Sequence, residues 1–158
     1  MVATTNLKTI RDDFKAQIKA ISPREQKHRA SRWRYLQDPE DVRSGAGLRA
    51  FSISFGSAAN EEAGLASFND GQSALVAMRV WVSYGGLSPV DDETLMEQDA
   101  EDLFFTLEGR IGTGGLDGLL GVLDSGGGAS PPEFVVDDDD DGLVGWYDFL
   151  IRYYRRDS

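Results

Sequence analysis

The sequence contains no cysteine, which excludes disulfide cross-links and thiolate metal ligands and leaves packing or self-association to supply stability. It contains one histidine, His28, so a histidine-dependent catalytic triad would have to use that residue, and no nucleophile elbow accompanies it. No run of about 18 apolar residues is present. The opening stretch, MVATTNLKTIRDDFK, lacks the apolar centre of a secretion signal, so a soluble chain kept in a cytoplasm is expected. Basic residues are scarce beyond position 50. Residues 1 to 50 hold eleven Lys or Arg against six Asp or Glu, whereas residues 51 to 158 hold five against twenty-one, which together give the formal charge of −11. An acidic body of this kind argues against general nucleic-acid binding, which is driven by neutralising phosphates, and leaves room for a small basic contact near the N-terminus. It favours solubility.

The stretch from Ala74 to Arg110 organises the rest. In ALVAMRVWVSYGG, Val76, Met78, Val80, Val82 and Tyr84 fall on one face and Arg79, Trp81 and Ser83 on the other, the alternation of a half-buried strand. In DDETLMEQDAEDLFFTLEGR, Met96, Ala100, Leu103 and Leu107 recur at helical steps opposite Glu93, Glu97, Glu101, Asp102 and Glu108. The strand face and the helix stripe are able to cover each other.

Upstream, Leu7, Ile10, Phe14, Ile18 and Ile21 draw a first helix, with Thr5 or Asn6 as cap and Pro23 as stop. The segment from Arg24 to Tyr35 mixes Arg and Lys with Trp33 and Tyr35, as the solvated side of an edge strand or a contact for nucleic acid or an acidic protein surface would. Asp38 to Gly47 reads as a turn. Arg49 to Phe55 alternates as a second apolar-faced strand, and residues 57–73 read as a hairpin arm between the two strands. Residues 112–133 carry eight glycines and read as a flexible loop, with Leu116, Leu119, Leu120, Val122 and Leu123 forming a short helical turn inside it. The loop has no Walker lysine and no phosphate cradle. The C-terminal unit places Phe134 to Val136 as a strand, the aspartate run as a turn, and Gly145 to Tyr154 as a strand with Tyr147, Phe149, Ile151 and Tyr153 on one face. One α+β domain over 1–158 is expected, its sheet of two hairpins covered on one face by an N-terminal and a central helix.

One motif could hold a metal. Asp137, Asp139, Asp141 and Gly142 match positions one, three, five and six of an EF-hand loop, and Asp148 stands at position twelve. Against a calcium site stand the shorter side chain of Asp at the closing position, a proline-containing entry that cannot be helical, and the lack of a second copy. An unliganded acidic turn is the expectation, with no cofactor and no paired carboxylates set for acid–base catalysis, so an enzyme is not expected.

The order helix, hairpin, helix, hairpin resembles that of the tail terminator and related tail-completion proteins at the neck of long-tailed bacteriophages. The likeness is carried by LKTIRDDFKAQI, RAFSISFG, ALVAMRVWVSYGG, SPVDDETLMEQDAEDLFFTL and WYDFLIRYY. The resemblance implies a virion protein, assembled in the host cytoplasm, that forms a homo-oligomeric ring, typically hexameric. Such a ring caps the tail tube, ends its polymerisation and joins it to the head-side connector, with DNA only passing through an acidic lumen and no membrane contact. The arm, the basic aromatic segment and the C-terminal arginines then become candidate partner contacts, with Arg32, Trp33, Arg34, Phe68, Arg155 and Arg156 as the residues to watch. The alternatives are another neck or tail component, a connector adaptor or tube subunit, or a calcium-binding module built on 137–148. A small acidic enzyme or a mimic of DNA is a more distant one.

Overall fold

The computed structural model describes residues 4–21, 33–43, 49–56, 73–84, 89–112, 114–128 and 144–155. The arm up to residue 72, the expected strand at Phe134 to Val136, and Asp137, Asp139 and Asp141 lie outside them. The first helix, α1 (Leu7–Lys19), starts at Asn6, whose extended backbone leaves its side chain free to accept a hydrogen bond from the Thr9 amide at 2.8 Å. Its apolar stripe buries Ile10, Phe14 and Ile18 completely. Burial of each such side chain is worth about 1.5–3 kcal/mol, more than a helix of this length gains from propensity.

Two short elements follow, β1 (Arg34–Tyr35) and α2 (Pro39–Arg43), and then β2 (Ala50–Gly56), β3 (Ser73–Ser83), α3 (Pro89–Glu108), β4 (Leu119–Gly128) and β5 (Val144–Tyr154). The strands form one five-stranded mixed sheet in the order β1-β2-β3-β5-β4, with β1 parallel to β2 and every other pair antiparallel. This makes a single α+β domain. The long central pair, β3 and β5, runs in register from Ser73 opposite Tyr154 to Ser83 opposite Val144. On the inner face Val76, Met78, Val80 and Val82 meet Phe149, Ile151 and Tyr147, and α1 and α3 close over them with Leu103 and Leu107 fully buried.

Three expectations are corrected. The apolar clump read as a helical turn in the glycine-rich loop is instead strand β4, paired with β5 from Leu119 opposite Tyr153 to Gly128 opposite Trp146. The reason is the unmet backbone of β5: a strand with one flank already on β3 has a second row of amides and carbonyls to satisfy. Leu119 and Val122 turn inward, and two register shifts, one between Leu119 and Gly121 and one between Asp124 and Gly127, hide the alternation that would have marked a strand. Next, the supposed turn after Asp38 includes a third helix, α2, capped by the Asp38 side chain, whose Oδ1 accepts from the Glu40 amide at 2.9 Å. It packs on β2 and β3 at the corner where Ala50, Ser52 and Ser83, outer-face residues by alternation, are buried along with its own Val42. Finally, Trp33 is a core residue, 3% exposed, with its ring edge-on to Phe51 at 5.9 Å.

Candidate functional site

α1 and α3 share one side of the sheet, and among the described residues the helix that packs on the other side is α2. The residues of that other side follow from register. Ser52, Trp81 and Trp146 make one cross-strand row; Ser54, Arg79 and Asp148 make the next; Gly56, Ala77, Leu150 and Leu123 make a third. Arg79 and Asp148 stand directly opposite each other and join by two hydrogen bonds, Nε to Oδ1 at 2.7 Å and Nη2 to Oδ2 at 3.0 Å. The guanidinium also lies over both indoles, 5.1 Å from Trp81 and 5.4 Å from Trp146, whose rings are 6.4 Å apart. The Trp81 indole N–H donates to Ser54 Oγ at 3.2 Å. Between β2 and β3 this face forms a shallow groove of about 340 Å³ lined by Ser54, Phe55, Gly56, Ala77, Met78, Arg79, Trp81 and Asp148.

The groove's cation and its carboxylate neutralise each other, and its lining contains no nucleophile with an adjacent base. Among the described residues no three His, Cys, Asp or Glu side chains converge as a metal-binding set. Of the EF-hand-like positions only Asp148 is described, and it is engaged by Arg79.

The sequence-derived contact residues are not brought together. Arg34 is exposed on β1 at one sheet edge, beside the buried Trp33, while Arg155 is exposed past the end of β5, bridged to Thr5 at the start of α1. Arg32, Phe68 and Arg156 lie outside the described residues.

A second polar cluster sits inside the core, and the sequence reading missed it. Arg49 is in the left-handed region at φ 62°, uncommon for a residue with a side chain, and is held there by two backbone bonds: its amide donates to the Ser83 carbonyl at 2.7 Å, and its carbonyl accepts from the Arg34 amide at 3.0 Å. That conformation sends the guanidinium inward to Asp99 of α3, 3.0 Å away, and over the Trp33 ring at 5.6 Å. The Tyr84 hydroxyl donates to Asp99 Oδ2 at 2.8 Å and also meets the Tyr147 hydroxyl, which reaches the Met96 carbonyl at 3.2 Å. Burial raises the Asp99 carboxyl from 3.8 to about 6, opposed by the charge of Arg49 and by the Tyr84 hydrogen bond. Burial likewise pushes the Tyr84 and Tyr147 hydroxyls well above 10, so both stay protonated. The signal for Asp99 was available: it lies three residues past Met96 and four before Leu103, within the apolar stripe. With every member sealed from solvent, the cluster anchors α3 to β2, β3 and β5.

No protein-family model and no characterised protein matches this chain.

Proposed function

We propose that this chain is a structural, ring-forming subunit that caps the tail tube of a long-tailed bacteriophage, ends tube polymerisation and joins the tail to the head-side connector. The observation that carries the reading is the architecture. An N-terminal helix, an antiparallel hairpin β2–β3, a long central helix and a C-terminal hairpin β4–β5 occur in the order that the sequence resemblance implies. A neutral groove with no catalytic pairing fits a part whose work is mechanical. The acidic body, repeated around a ring, gives a lumen that repels DNA phosphates and lets the duplex slide.

Electron microscopy of particles assembled without the protein tests this. Overlong or headless tails are the expected result. Tails of normal length on normal heads would refute the reading, and normal tails beside leaking heads would transfer the chain to the connector-adaptor role.

A further inference from the structure

The ring reading leaves open which surfaces of a subunit meet, and the charges of the helical layer bear on that. All four basic residues of α1, Lys8, Arg11, Lys15 and Lys19, share one flank of the helix. Lys15 Nζ lies 4.5 Å over the ring of Tyr35 in β1 and the Arg11 guanidinium 5.1 Å over Phe55 in β2, so this flank faces the β1 edge of the sheet. The other flank carries Asp13, which takes two hydrogen bonds from Arg110 just beyond α3. The basic residues are therefore turned away from α3. The Lys8 side chain is 85% exposed, with its Nζ paired to Asp12 on the same flank at 2.9 Å, and Lys19 is exposed as well.

The α3 helix is arranged the opposite way. Asp99 turns toward Arg49 and Tyr84, and the flank that carries Glu97, Glu101 and Glu108 is on the side of β4, the other edge strand. These three glutamates are exposed and make no ion pair among the described residues. Phe105 stands among them at 60% exposure. Lys8 to Lys19 and Glu97 to Glu108 each cover three helical turns, roughly 16 Å. One edge of the subunit thus carries four basic residues with Asp12 among them, and the opposite edge is acidic around the exposed Phe105.

We infer that the α1 flank of one copy docks against the α3–β4 edge of the next. Two different surfaces then meet at every contact, which is the head-to-tail type that closes into a ring when the rotation permits. Phe105 supplies the desolvated middle, and the lysine–glutamate rows set register and steer encounter. The inference rests on the self-assembly reading, so the test separates the two.

Sedimentation velocity and native mass spectrometry at low salt are run on the full chain and on two charge-reversed variants, Lys8→Glu with Lys19→Glu and Glu97→Lys with Glu101→Lys. Circular dichroism of each variant checks folding. Each variant alone is expected to associate at least about tenfold more weakly than the parent, because like charges then face each other. An equimolar mixture of the two should regain assembly, since every contact again pairs opposite signs. Parent-like assembly of the separate variants, or a mixture that fails to recover, overturns the docking geometry while leaving the ring intact. A parent chain that stays monomeric at high concentration and on isolated tail tubes overturns both.

Discussion

Arg49 and Asp99, fifty residues apart in the chain, form an ion pair with side chains only 3% and 1% exposed. Removing one member of such a pair leaves a desolvated charge without compensation. Asp99→Ala, which also strips the Tyr84 hydroxyl of its acceptor, is expected to lower unfolding free energy by about 3–5 kcal/mol. Urea denaturation of the variant checks this, and a loss below about 1 kcal/mol would contradict the pairing.

The same carboxyl sets a pH dependence of unusual sign. Burial raises Asp99 to about 6 from the 3.8 of an unfolded chain, so between those values the folded protein holds the extra proton. The stability contribution is therefore fully present below 3.8 and is lost as pH rises through about 6, at up to about 1.4 kcal/mol per unit for one group. Asp99→Asn has no proton to gain. Subtracting its denaturation profile from the parent's between pH 4 and 7 should leave a difference that falls with rising pH, and a flat difference would rule the shift out.

Gly118 occupies φ +91°, and a Cβ built there would lie 2.8 Å from the Thr4 carbonyl carbon and 2.9 Å from the Thr5 nitrogen, both backbone atoms. Gly118→Ala then combines a strained conformation with a clash against the entry to α1. Destabilisation of about 1–3 kcal/mol is expected, visible as a lower Tm in calorimetry.

On the open face, Arg79→Ala removes the cation held between Trp81 and Trp146 and frees Asp148. The pair is partly solvated, so the expected loss is small, about 1 kcal/mol. The clearer readout is tryptophan fluorescence. Trp81 and Trp146 should shift on substitution while the buried Trp33 stays as it was, and an unchanged spectrum would place the guanidinium elsewhere.

Much of this fold is legible in the chain because its long elements are strongly periodic. The alternation in β3 and β5 and the stripes of α1 and α3 carry over to the buried sets at Val76 to Tyr84, Tyr147 to Tyr153 and Ile10 to Ile18. Elements that depend on distant partners are less visible. Glycines and two register shifts disguise β4, and only β5 explains why it is extended. The parallel strand β1 is two residues long and exists through its bonds to β2. By pattern Arg49 is an ordinary strand start, and Asp99 stands on a helix already rich in acids. Their burial follows from a backbone turn and a packing geometry that periodicity does not encode.

The last strand in sequence, β5, lies between β3 and β4, pairing with both. A nascent chain emerging from the ribosome therefore lacks the middle of its sheet until residues 144–154 appear; before then β3 has only β2 beside it and β4 has no partner strand among the described residues. Completion of the sheet waits for β5 and is slowed by pairings that close loops of some sixty to eighty residues. Translation stalled short of Val144 yields sticky, degradable fragments rather than a smaller working piece.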